Sequence, residues 1–133
     1  MADLSPEALL HAARALLPLS RAPYSRFAVA ALLESGEGAT HPGVNVESVS
    51  YGLSMCAERN ALFGAIARGG GRFRRLALVS ATMRPVLPCG ACRQVLLEHA
   101  PGLLLLVERE DGGAEEIPLA TLLPRAFTEF TPG

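Results

Sequence analysis

The residues able to do chemistry fall in two short runs, Cys56-Ala57-Glu58 and Pro88-Cys89-Gly90-Ala91-Cys92. Zinc takes thiolate and imidazole ligands in a tetrahedron, and a catalytic zinc keeps one corner open for water beside three protein ligands. The chain contains three Cys, so a three-thiolate Zn2+ site with one open corner uses them all. A closed structural site needs a fourth ligand. No fourth Cys exists, and His11, His41 and His99 stand near neither run and read as surface or structural residues. Three thiolates outweigh the charge of one Zn2+, which makes a bound water harder to deprotonate. Helix N-termini offset part of that excess, and Arg59 can do the same by hydrogen bonding to a ligand sulfur. Glu58, two residues after Cys56, is within plausible reach of the metal-bound water and is the candidate proton carrier.

The elements around these runs are legible. Ser5-Pro6-Glu7 has the cap, the first-turn proline and the acidic residue of a helix start. Leu9, Leu10, Ala13, Leu16 and Leu17 fall on one helical face, and Pro18 with Arg21-Ala22-Pro23 ends it. Phe27 to Leu33 reads as a strand. Ser35-Gly36-Glu37-Gly38 is turn-like, and a second strand running to about Val46 completes a hairpin. Ser54 to Ala67 has helical composition, stopped by Gly69-Gly70-Gly71. Leu76 to Val79 is a third strand, 81–88 a proline-punctuated loop, and Gly90 to His99 a helix stopped by Pro101-Gly102. Leu103 to Val107 and Glu115 to Ile117 are further strands, before a last helical turn around Leu119 to Leu123. Cys56 and the Cys89–Cys92 pair thus sit at two helix starts, where N–H groups and the dipole favour thiolate. The order of elements predicts an α/β protein, a three-layer α/β/α sandwich around a mixed five-stranded sheet.

Composition narrows the function classes. The 133 residues suggest one domain over 1–133, against a prior of roughly 100–200 residues per domain, and half of them are hydrophobic. The net charge is −1 and the chain has no Lys. Its nearest basic run is Arg72, Arg74 and Arg75, too short for the stripe that grips a nucleic-acid backbone, so a small substrate is expected and no nucleic acid. The odd number of Cys argues against a disulfide framework. Met1-Ala2-Asp3-Leu4-Ser5-Pro6 lacks the basic and apolar regions of a secretory signal. No apolar stretch reaches the roughly 18 residues of a membrane span. A cytoplasmic protein without membrane association is the expectation.

A zinc ligand, one residue, a Glu, and later Pro-Cys-x-x-Cys is the zinc deaminase signature. Beyond it, Pro23-Tyr24-Ser25-Arg26-Phe27, Gly43-Val44-Asn45-Val46-Glu47, Ser50-Tyr51-Gly52-Leu53, Cys56-Ala57-Glu58-Arg59, the run Pro88 to Leu96 and Leu122 to Phe127 resemble the small homotetrameric zinc-dependent cytidine deaminases. The matches run in order from residue 23 to residue 127. Departures are Ala28 and Ala30, where Pro and Gly are usual, Ser48 for a common Asn, and Leu87 for a frequent Ser. The resemblance implies hydrolytic deamination of free cytidine and 2′-deoxycytidine to uridine and 2′-deoxyuridine in pyrimidine salvage. One Zn2+ per subunit would activate water against C4, with Glu58 as proton shuttle. It implies that Asn45 and Glu47, on one face of a strand, hydrogen-bond the sugar 3′-hydroxyl. Phe27 would pack on the pyrimidine, and the Ala57 N–H and a carbonyl near Cys89 would orient the base. Tyr51 and Phe127 would complete a neighbouring subunit's pocket in a homotetramer. From the residues alone, Phe27 is an ordinary core phenylalanine, Tyr51 and Phe127 are core or interface, and Asn45 with Glu47 can be an exposed polar face. Three rival functions stay open: deamination of another aminopyrimidine nucleoside such as a blasticidin-type antibiotic, deamination of a polynucleotide, and a non-enzymatic zinc module.

Overall fold

The computed structural model describes residues 4–82 and 85–130. Met1 to Asp3 of the signal-peptide argument, and residues 83 and 84 of the expected loop, lie outside the described residues. Helix α1 is Pro6–Arg14, and the Ser5 hydroxyl caps it by accepting from Ala8 N at 3.1 Å. The helix stops before the expected Leu16 and Leu17. Pro18 cannot donate a backbone hydrogen bond, and a 3₁₀ turn over Leu17–Leu19 takes over. Strands β1 (Val29–Ser35) and β2 (Thr40–Val44) form the hairpin, with Gly38 at φ 90° in its turn. Helix α2 (Ala57–Ala67) leads to β3 (Phe73–Ser80), helix α3 (Gly90–His99) to β4 (Leu104–Glu108), and β5 (Ala114–Pro118) runs into a 3₁₀ turn over Leu119–Leu122. All five expected strands are present.

The sheet order is β2-β1-β3-β4-β5. β1 is antiparallel to β2 and β3, β3 and β4 are parallel, and β5 is antiparallel to β4. The sheet is therefore mixed, as the sequence predicts. Strand alternation divides the core in two. Ala31, Leu33, Leu76, Leu78, Leu105 and Val107 face a cluster with α2 and α3 residues such as Leu62 and Leu96. Ala30, Leu32, Ala77, Val79 and Leu106 face Leu9, Leu10 and Ala13 of α1. Both faces of the middle strands are covered, which is why they read as continuous apolar runs rather than as alternating ones. Each fully buried Leu contributes roughly 1.5–3 kcal/mol, so these clusters supply the main drive to layer the helices on the sheet.

Two glycine positions set α2. Gly43 of β2 faces its first turns so closely that a Cβ there would lie 2.3 Å from Ala57 O and 2.4 Å from Ala61 N. Only a residue without a side chain allows that approach. At the other end, Gly69 at φ 90° and the bonds Gly70 N→Ala65 O (2.9 Å) and Gly69 N→Ile66 O (3.0 Å) close the helix in the Schellman pattern. The helix starts at Ala57, later than Ser54, because Met55 pairs with Val46 in an isolated bridge and Cys56 is the extended N-cap. Likewise β1 begins at Val29 rather than Phe27, since Arg26 sits at φ 58° and interrupts the extended backbone. No helix of the described residues is long and apolar enough to cross a membrane.

The short basic run is partly accounted for by an acidic partner. Glu34, buried on β1, accepts from Arg75 Nε (2.7 Å) and Nη2 (2.6 Å) and from Arg74 Nη2 (3.2 Å). The Arg75 hydrogen bond, against the opposing effect of burial, leads in holding the Glu34 carboxyl below its ordinary value. A lowered carboxyl stabilises the fold above the unfolded-state value of about 4.3, and the contribution is lost as pH falls through the folded-state value. Glu34→Gln should therefore cost about 2–3 kcal/mol near neutrality and flatten the loss of stability between about pH 5 and pH 3. Urea midpoints measured across that range test this. An equally steep acid limb in the variant would remove the assigned role.

Candidate metal centre and active site

The site lies where the C-terminal end of β3 meets the N-terminal end of β1, paired at Ser80 and Val29. In open α/β sheets this is where helices begin and their N–H groups point outward. Cys56 is the N-cap of α2 and Cys89 the N-cap of α3, with Cys92 in the first turn of α3. Their sulfurs lie within 4.8 Å of one another. Cys56 Sγ is 3.8 Å from Cys89 Sγ, and Cys89 Sγ is 3.5 Å from Cys92 Sγ. A tetrahedron with zinc–sulfur arms of about 2.3 Å has edges of about 3.8 Å, so the two separations from Cys89 are close to edges of such a site. All three Cys are free. The soft sulfur donors and their separations fit a zinc site.

The surroundings bias these thiols unevenly. Burial raises Cys89, but hydrogen bonds from the Cys92 N–H, the other two thiols and the Ala91 N–H outweigh it and bring Cys89 below its ordinary value. Burial first, then the Glu58 charge, pushes Cys92 up. Arg59 Nη2 lies 3.6 Å from Cys56 Sγ, and this contact leads in raising the guanidinium above its ordinary value. Arg59 Nε is buried and has no hydrogen-bond partner among the described residues. A guanidinium donates only, so its place beside the sulfurs suits an electron-rich centre.

Glu58 is 4% exposed, in the first turn of α2. Burial raises its carboxyl, against the smaller lowering effects of its own N–H, Cys92 and Arg59. It lines a cleft of about 180 Å³ together with Cys56, Cys89, Ala57, Asn45, Val29, Val86 and Leu87. The cleft thus puts sulfur donors, a buried acid and apolar walls against one volume. Sequence reasoning did not identify Val29, Val86 or Leu87 as walls, because only tertiary packing brings them beside Glu58.

The remaining candidates divide. Strand β2 ends at Val44 and not near Val46, so Asn45 and Glu47 lie just past it rather than on one strand face as expected, each tied to the segment before β1. Asn45 Oδ1 accepts from Val29 N (2.9 Å) and Ser20 Oγ (2.5 Å), and Nδ2 donates to Phe27 O (2.8 Å). Glu47 Oε1 accepts from Tyr24 N (3.0 Å) and Ser25 N (3.1 Å), and Oε2 from Ser25 Oγ. The Ser25 hydroxyl leads in holding the Glu47 carboxyl below its ordinary value. Glu47 lines a second cleft of about 350 Å³ with Tyr24, Ser25, Tyr51 and Ser54. Phe27 is 39% exposed, which corrects its reading as an ordinary core residue, and it lines neither cleft. Tyr51 and Phe127 are exposed, which removes the core alternative for both. Of the histidines, His11 and His99 are exposed, whereas His41 is buried against Phe73. Arg93 was missed by spacing alone: it holds Pro88 O (2.7 Å) and Leu122 O (3.0 Å) and so fixes the turn that carries Cys89.

The same arrangement has known counterparts. The sequence profile of the cytidine and deoxycytidylate deaminase zinc-binding region matches residues 5–105. The cytidine deaminase of Halalkalibacterium halodurans is 47% identical over 107 residues, 80% of this chain and 81% of that one. The cytidine deaminase of Mycobacterium tuberculosis is 46% identical over 105 residues, 79% and 76% of the two chains. The crystal structure of cytidine deaminase from Burkholderia pseudomallei superposes with a TM-score of 0.87 at 43% identity, over 93% of this chain and all of that one. Three sulfurs at two helix starts, a buried acid beside them and this degree of likeness along most of the chain together mean that the protein belongs to the zinc-binding cytidine and deoxycytidylate deaminase family.

Proposed function

We propose that this chain hydrolyses the 4-amino group of free cytidine and 2′-deoxycytidine, giving uridine or 2′-deoxyuridine and ammonia. The observation that carries this reading is the buried Glu58 carboxyl in one cleft with Cys56 and Cys89. Cys56, Cys89 and Cys92 would hold the zinc, which would supply the Lewis acidity that makes water a nucleophile near neutral pH. Glu58 takes the proton that water gives up and delivers it to N3 of the base, which leaves C4 more electrophilic. The hydroxide left from that water adds to C4; Glu58 then takes the proton of the new C4 hydroxyl and passes it to the exocyclic nitrogen, so that the C4–N bond breaks, ammonia departs and a carbonyl remains at C4. Val29, Val86 and Leu87 exclude water from the faces of the base. Arg59 offsets the excess negative charge of the sulfurs through Cys56.

Asn45 and Glu47 bind the sugar 3′-hydroxyl in this reading, Asn45 from the first cleft and Glu47 from the second. The Ala57 N–H orients the base. Phe27 packs on the pyrimidine only if its ring turns toward the ligand. The reading takes the chain as one catalytic domain that assembles as a homotetramer, in which Tyr51 and Phe127 wall a neighbour's pocket. Their exposure, 73% and 66%, supports that role. Three free Cys suit a reducing compartment, and salvage of free nucleosides in the cytoplasm is the matching role.

Loss of cytidine absorbance on adding the purified protein, with zinc measured on the same sample, tests the activity. A single-stranded cytosine substrate and a blasticidin-type nucleoside serve as comparisons, and faster turnover of either would displace cytidine. Two variants probe the mechanism. Cys89→Ala should lose both zinc and activity, and unchanged metal content by elemental analysis would refute the ligand assignment. Glu58→Gln should stay folded and zinc-loaded while turnover drops by at least about 10²–10⁴. Near-normal turnover in that variant would remove the proton shuttle.

A further inference from the structure

Ser20 lies outside every motif discussed above, between the first 3₁₀ turn and the Pro23 to Phe27 segment. Its hydroxyl nevertheless reaches Asn45 Oδ1, 25 residues along the chain, at 2.5 Å. The Val29 N–H donates to the same oxygen at 2.9 Å, and Asn45 Nδ2 donates to Phe27 O at 2.8 Å. These partners fix which way the carboxamide points. Turned over, it would set NH2 against the Val29 N–H and its oxygen against the Phe27 carbonyl.

A carboxamide has two lone pairs on oxygen and two N–H donors. Ser20 and Val29 fill both lone pairs, Phe27 takes one N–H, and one N–H is left. A carboxylate has about four acceptor sites. At Glu47 the Tyr24 N–H, the Ser25 N–H and the Ser25 hydroxyl occupy three of them. The capacity left at the pair is one donor on Asn45 and one acceptor on Glu47. A free hydroxyl satisfies both at once, accepting from the first and donating to the second. An ether or a phosphate ester, lacking the proton, sets an oxygen lone pair against the carboxylate.

Without the Ser20 hydroxyl, Oδ1 regains an acceptor site and the carboxamide loses one of its three tethers. We infer that Ser20 is a positioning residue for sugar recognition, whose hydroxyl closes Asn45 as an acceptor and holds it as a donor toward the nucleoside. The inference rests on the reading of Asn45 and Glu47 as the pair that binds the sugar hydroxyl.

The test compares wild type, Ser20→Ala and Ser20→Thr on cytidine and 3′-deoxycytidine by steady-state kinetics. Binding of uridine and 3′-deoxyuridine by calorimetry adds a readout independent of turnover. Ser20→Ala should raise KM for cytidine and Kd for uridine roughly fivefold, the size of one neutral hydrogen bond, with kcat held. Both constants for the 3′-deoxy compounds should stay at their wild-type values, and Ser20→Thr, which keeps the hydroxyl, should restore the rest. An equal change on both compounds would make Ser20 a structural residue only. No change on either would separate it from the sugar. Both outcomes overturn the inference. Failure of the underlying reading looks different, because wild type itself would then treat cytidine and 3′-deoxycytidine alike, and the inference would fall with it. Should Ser20→Ala fail to fold, Ser20→Cys, with only a weak S–H donor, takes its place in the same comparison.

Discussion

The structure depends on bringing three sulfurs within 4.8 Å at the starts of two helices. Two thiolates about 3.8 Å apart repel by about 4 kcal/mol at an effective dielectric of 20. That repulsion must be met by nearby positive charge, and the fold arranges several sources of it. Two helix N-termini present their free N–H groups and positive dipole ends. Arg59 adds a full charge at Cys56, and a divalent cation among the sulfurs would supply most of the remainder. The sheet makes the convergence possible. α2 and α3 lie on one face, and the missing side chain at Gly43 lets α2 press against β2, so the position of Cys56 follows from a backbone contact thirteen residues earlier in the chain.

The polar end of the site is built by a second constraint. Arg26 holds φ 58°, a region that costs an ordinary L-residue about 1–2 kcal/mol. Its neighbours are pinned on both sides, Tyr24 and Ser25 by Glu47, Phe27 and Val29 by Asn45. The same two side chains that face the clefts therefore also hold the strained loop that borders them. A substitution at either position disturbs the shape of the site as well as its chemistry. Loss of activity on changing Asn45 or Glu47 does not by itself measure a bond to substrate. Ser20 is the cleaner probe of the pair, since its hydroxyl reaches the site only through Asn45 and weakly through that residue's carbonyl.

The metal ligands were legible because thiols are rare in this chain and their spacing places them at helix starts that composition marks independently. Three strands, β1, β3 and β4, were legible as apolar runs, α1 as periodicity, and α2 and α3 as helical segments stopped by Gly or Pro. The starts of β1 and α2 were not. They are set by the left-handed Arg26 and by the Met55–Val46 bridge, neither of which leaves a local pattern in composition. Phe27 shows the same limit. Its type and flanking apolar residues suit a core, yet it is left partly in solvent because the chain turns just before it. The partners of Asn45 were hidden for a further reason. Ser20 and Phe27 meet it only in the tertiary structure, and no spacing rule links positions so far apart.

The two clefts bear on the assembly in the proposed function. About 180 Å³ beside Glu58 is less than the roughly 300 Å³ at which small-molecule pockets begin. The 350 Å³ beside Glu47 reaches that range, and Asn45 lines the first space while Glu47, two residues on, lines the second. In the proposed function the base occupies the first space and the sugar leans into the second. That second space is walled on one side by Tyr51, an aromatic left 73% exposed. Covering such a side chain is worth roughly 1.5–3 kcal/mol, and Leu53, Val49 and Phe127 nearby in sequence or toward the C-terminus carry similar unburied surface. Covering these residues would also enclose the space beside Glu47, which is the physical argument for a neighbouring chain in the proposed function.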